Sequence, residues 1–165
     1  MYLSFNNSKI IINFFLVSIF LIILQSYLPK IWIYKDIGIT LDVFLIFLTF
    51  LSLSYDTYLI IFFAFIMGLF QDFVIHVDMI GSYALIKSFI AYFLGLLKSY
   101  NSLWSRKRKM FFIYLIYFFH FSIHHYIIIN NQLAVILMIS LIHALLCFSI
   151  FYFLDKIFYD SKELL

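Results

Sequence analysis

The feature that most constrains this chain is the length of its uninterrupted apolar runs. TYLIIFFAFIMGLFQDFVIH at residues 57 to 76, MFFIYLIYFFHFSIHHYIII at 110 to 129 and LAVILMISLIHALLCFSIFYF at 133 to 153 are each close to what a hydrocarbon core demands, since a helix needs about 20 apolar residues to cross roughly 30 Å. A transmembrane barrel would instead alternate apolar with polar residues over about ten positions, which these runs do not do. The predicted class is therefore an all-α polytopic membrane protein. Composition agrees: 66% of residues are apolar or aromatic and 12% are charged, against about 25% charged in soluble domains, and the mean hydropathy is +1.09. The 165 residues hold about six spans of roughly 20 residues as one membrane domain, with no room for a sizeable water-soluble one.

Six spans are expected, at about 10–28, 41–55, 57–76, 79–97, 110–129 and 133–153. The first is stopped by Pro29, and because QSYLPK offers no small-residue cleavage site it reads as a retained span rather than a removed leader. Spans three and four are separated by so few residues that they form an antiparallel hairpin. Orientation follows from basic residues in short loops, which mark the cytoplasmic side. Lys98, Arg106, Lys107, Arg108 and Lys109 lie between spans four and five, and with Lys9, Lys156 and Lys162 they place eight basic residues inside against two, Lys30 and Lys35, outside. Both termini are then cytoplasmic. The same basic loop can also meet anionic lipid headgroups.

Within this apolar chain the polar residues stand out. Ala64, Gly68, Asp72 and His76 follow at four-residue steps, so they share one helix face. In span four Gly81, Ala84, Ser88, Ala91 and Gly95 form a stripe of small residues, of the kind that lets helices approach closely in lipid. Asp72 lies about 8 Å and Lys87 about 14 Å from the hairpin turn, a difference that a Lys stem bridges, so an Asp72 to Lys87 pair is expected. A lone charge at a helix centre costs about 2.5–3.5 kcal/mol on insertion scales, so compensating groups are needed nearby. Asp42 at the outer start of span two, and His120, His124 and His125 toward the outer end of span five, are the candidates for a shared polar patch. His143, alone in span six, reads as a satisfied packing histidine.

Specific chemistries fit poorly. His120 and His124 are one turn apart, but no Glu follows the first His as an HExxH zinc site requires. An aspartyl dyad needs two facing carboxylates sharing a proton, but Asp42 lies at a helix end and the GLFQD context of Asp72 does not resemble the protease motif. There is no phosphate loop and no nucleophile elbow. The single cysteine, Cys147, excludes an intrachain disulfide. No enzyme activity, cofactor, metal or nucleic-acid partner is expected.

The stretch MGLFQDFVIHVDMIGSYALIKSFIAYFLG, residues 67 to 95, resembles the signature of the rod shape-determining protein MreD family: a Gly-Leu-x-x-Asp segment, a loop, and a Gly-x-x-Ala-Leu segment. Gly68, Leu69 and Asp72, then Gly81, Ala84 and Leu85, stand at those positions. The family usually has Pro before an acidic residue at the start of span two, where Leu41 precedes Asp42 here. The resemblance implies a non-enzymatic component of the bacterial inner membrane that scaffolds cell-wall elongation. Its implied partners are the bitopic coiled-coil protein MreC and, through it, the actin-like filament protein MreB and the peptidoglycan polymerase and transpeptidase. The alternative from another class is a vitamin-binding subunit of an energy-coupling-type transporter, similar in size and span number, although span one lacks that family's Ala-x-x-x-Ala docking motif.

Overall fold

The computed structural model describes residues 8–34, 37–75, 80–100, 103–128 and 132–163. Among them are six helices, α1 (Ser8–Ser26), α2 (Val43–Ser54), α3 (Thr57–Ile75), α4 (Ser82–Ser99), α5 (Arg106–Ile128) and α6 (Leu133–Glu163). Between α1 and α2 lies a small antiparallel hairpin, β1 (Ile31–Tyr34) and β2 (Ile37–Ile39), in which Ile31 faces Ile39. Three helical segments, Thr57–Ile75, Arg106–Ile127 and Leu133–Phe158, are long and apolar enough to cross a membrane.

Two features add to the expected set of helices. The fold is not purely helical, because the β-branched and aromatic residues of IWIY and IGI pair with one another and suit a strand better than a helix. The second apolar run also yields a helix of only 12 residues, about 18 Å long, so α2 by itself falls short of a hydrocarbon core. α6 goes the other way. Its 31 residues rise about 46 Å and carry the helix well past Phe153.

The helix ends follow local chemistry. α1 closes in a turn, Tyr27 N–H donating to Leu24 O and Leu28 N–H to Gln25 O, and Pro29 then bars continuation. Asp42 caps α2, its carboxylate accepting from Leu45 N–H. Tyr55 leaves α2 in an extended conformation, which separates it from α3. Gly81, at φ 100°, provides the left-handed turn into α4 that only glycine adopts without cost.

α2 and α4 form the middle of the bundle. On one side Phe44, Leu48 and Ala91 pack with Ile22 of α1 and with Ile60, Phe63, Ala64 and Met67 of α3. On the other, Leu45, Ile86, Ile90 and Leu94 pack with Ile116, Tyr117 and Phe121 of α5 and with Ala144, Cys147 and Phe151 of α6. α3 and α4 run antiparallel and nearly touch. A Cβ on Gly68 would lie 2.6 Å from Ala84 Cα, and one on Gly95 would strike the Thr57 side chain at the opposite end of the pair.

The distribution of polarity is inverted relative to a soluble domain. Outward-facing residues include Phe20, Tyr58, Phe62, Phe119, Met138 and Phe153, spread over α1, α3, α5 and α6. The charged residues Asp42, Asp72 and Lys87 are instead fully or almost fully buried. Helical hydroxyls are satisfied locally: Thr49, Ser52, Ser88, Ser122 and Ser140 each donate to the carbonyl four residues earlier, the arrangement available where no water is at hand.

Candidate functional site: two buried carboxylates and a histidine chain

The interior polar residues gather at the end of the bundle where α2 and α4 begin. Each of those helices starts with orphan backbone N–H groups, and each recruits a carboxylate. Asp72, projecting from the last turns of α3, accepts hydrogen bonds from the backbone N–H of Gly81 (3.0 Å), Tyr83 (2.9 Å) and Ala84 (3.2 Å) and from the Ser82 hydroxyl (3.1 Å). It acts as an N-terminal cap for α4 supplied by a neighbouring helix, and Gly81, having no side chain, could not supply one.

The expected partner of Lys87 is Asp72. The structure pairs it with Asp42 instead, its Nζ lying 2.8 Å from both carboxylate oxygens. The reason is competition for lone pairs: Asp72 is occupied by four donors at the start of α4, whereas Asp42 spends one oxygen on Leu45 N–H and turns both toward the ammonium. Lys87 Nζ also lies 4.6 Å from the centre of the Phe44 ring and 5.4 Å from that of Tyr83, so two aromatic faces complete its surroundings.

All three expected histidines of α5 are buried here. His120 Nε2 stands 3.4 Å from Asp42 Oδ2, an ion-pair distance without hydrogen-bond geometry. His124 Nε2 is hydrogen-bonded to the Tyr83 hydroxyl at 3.1 Å, with the two rings stacked 4.6 Å apart. His143 is satisfied as expected, but it is not isolated: its Nε2 lies 2.8 Å from Thr40 O and its Nδ1 3.1 Å from His125 Nε2. A carbonyl only accepts, so Nε2 of His143 carries the proton, and in the neutral ring Nδ1 accepts from His125. Deeper in the bundle, Thr49 donates to Leu45 O, which leaves Tyr117 as the donor in the 2.8 Å Thr49–Tyr117 bond.

The small-residue stripe divides in use. Ala84 and Gly95 meet α3, Ala91 enters the core beside α1 and α3, Ser88 bonds its own helix, and Gly81 is the turn itself. His76 lies outside the described residues. Thr40, Tyr83 and Gln71 escape a reading of the sequence. A backbone carbonyl leaves no mark there, and a Tyr among 13 carries no signal. Gln71, fully buried beside Asp72, makes no hydrogen bond with its amide among the described residues.

These features define a helical bundle with an apolar exterior, a fixed ionic interior and three helices able to cross a membrane. The arrangement suits holding helices in register, since its carboxylates are bound by the Lys87 ammonium and by N–H and O–H groups of the helix starts. No group of three or more metal-ligating side chains occurs among the described residues. Compared with family models, with curated proteins and with solved structures, the chain matches none.

Proposed function

We propose that the chain is a non-enzymatic scaffold of the bacterial inner membrane, of the MreD type, that acts in cell elongation and lateral wall synthesis. In this reading it crosses the membrane six times with both termini in the cytoplasm, the bilayer thinning around the short α2. It would hold an MreC-like bitopic protein against its helices and through it connect to MreB filaments and to the peptidoglycan polymerase and transpeptidase.

The observation that carries this reading is the joint role of the residues on which the resemblance rests. Gly68 lets α4 approach, Gly81 turns the chain, Ala84 takes the close contact, and Asp72 binds the start of α4 through four hydrogen bonds. Such a motif builds a rigid hairpin and performs no chemistry, which is what a docking platform requires. The outward apolar faces of α3, α5 and α6 are then available to partner helices.

The test is purification of a tagged copy from membranes in mild detergent, with identification of the proteins retained in stoichiometric amount. Recovery of a bitopic coiled-coil protein together with wall synthases is expected. Recovery of ATPase subunits with a coupling membrane protein would overturn the proposal in favour of a transporter subunit.

A further inference from the structure

Four of the chain's five histidines are buried at the polar end of the bundle, and two of them join three separate parts of the fold through one line of hydrogen bonds. Thr40 lies between β2 and α2, His125 on α5 and His143 on α6. His143 Nε2 donates to Thr40 O at 2.8 Å, and His125 Nε2 donates to His143 Nδ1 at 3.1 Å. We propose that this line is an acid-released latch: with both imidazoles neutral it holds the strand hairpin and the start of α2 against α5 and α6, and protonation of both lets them go.

The placing of the protons is what makes it a switch. A carbonyl only accepts, so His143 Nε2 must keep its hydrogen, and its Nδ1 must then offer a lone pair to His125. One added proton can be shared across the pair, since whichever ring holds two hydrogens still presents an N–H to the other's lone pair. A second proton sets N–H against N–H across 3.1 Å and puts two cations side by side, with ring centres 5.3 Å apart. The bond then becomes a repulsion.

The surroundings give those two cations no relief. Both rings belong to residues no more than 5% exposed, and Phe121 lies face to face with His143 at 3.6 Å between ring centres, so water is kept off a charge that needs it. Among the described residues, the titratable and charged groups around the pair are His120 and His124 on α5, Cys147 one turn further along α6, Asp42 at the start of α2, and Tyr83 and Lys87 on α4. The carboxylate in that set, Asp42, is held by Lys87 through both oxygens. An imidazole in water takes up its proton below about pH 6.5, so acid favours the opened state, in which both rings can be charged and solvated. The proposed topology puts this end outside, where the hairpin would answer the pH of that compartment. The latch itself depends neither on that topology nor on which proteins the chain assembles with.

Hydrogen–deuterium exchange of the whole protein in mild detergent, corrected for the intrinsic pH dependence of exchange and followed from about pH 7.5 to about pH 5, tests it on the amides of residues 38–45. Below about pH 6.5 their protection should fall by about tenfold per pH unit for each proton taken up on opening. Protection of residues 60–68 in α3 should change by less than about twofold, because the opening is local. The His125→Gln/His143→Gln variant keeps a donor for Thr40 and an acceptor for its neighbour but carries no group that titrates in this range, and it should lose most of the pH dependence. In wild-type protein with isotope-labelled histidine, a coupling across the bond from His125 Nε2 to His143 Nδ1 should be present at about pH 7.5 and vanish in step with the loss of protection. That reading needs no variant, so it stands whether or not the double substitution folds. Protection of residues 38–45 that holds steady down to about pH 5, a loss equally steep in the variant, or a coupling that survives where the amides have opened would each overturn the proposal.

Discussion

A carboxylate removed from water must find donors for its lone pairs, and the two buried aspartates do so by different means. Asp72 uses N–H and O–H groups of one helix start, while Asp42 combines a single N–H with an ammonium. Deleting one member of a buried ion pair leaves the other uncompensated, so Lys87→Met should destabilise by about 3–5 kcal/mol. In a double-mutant cycle read by denaturant unfolding in detergent, Asp42→Asn and Lys87→Met should couple by about 1–3 kcal/mol, whereas Asp72→Asn and Lys87→Met should be additive to within about 0.5 kcal/mol. Comparable coupling in both cycles would overturn the assignment of partners. The sequence made it legible that Lys87 needed a carboxylate and that Asp42 belonged to the same patch. It hid the choice between the two acids, because that choice depends on how many backbone donors already surround Asp72.

At the scale of elements, the close approach of α3 and α4 depends on two glycines for which substitution has different consequences. A Cβ on Gly68 meets Ala84 Cα, Ala84 N and Tyr83 O, all backbone atoms, whereas the three atoms nearest a Cβ on Gly95 all belong to the Thr57 side chain. Gly68→Ala should therefore cost about 1–3 kcal/mol or more by overpacking, and no shortening of a facing side chain should restore it. Gly95→Ala should be destabilising too but should regain stability when combined with Thr57→Gly. Thermal unfolding of the three variants checks both statements, and rescue of Gly68→Ala by Ala84→Gly would contradict the first. The long helices α3 and α5 were readable to within a few residues of their apolar runs, because length and hydropathy are local quantities. The β1–β2 hairpin was not, since within such an apolar chain strand and helix segments look alike and only pairing in space decides between them.

For the whole molecule, the proposed topology places the loop before α5 on the cytoplasmic side and the β1–β2 hairpin outside. Leu103 is 70% and Trp32 65% exposed, and the natural Cys147 is fully buried, so single cysteines can be labelled over a quiet background. Trp32→Cys should react with a membrane-impermeant maleimide on intact cells, and Leu103→Cys only after permeabilisation; the reverse pattern would overturn the orientation. Lys30 and Lys35 lie in the stretch that this topology puts outside and are the one discordant signal in the charge pattern. The bond between His143 and Thr40 joins residues 103 positions apart, and Asp42 reaches Lys87 across 45. The start of α2 is therefore completed only by groups synthesised long after it. As the chain emerges from the ribosome, Asp42 must wait for α4 to bring its counter-ion and Thr40 must wait for α6 to bring its donor. α6 is thus the helix that locks the loop before α2, and the nascent protein stays open at its polar end until α6 has been made.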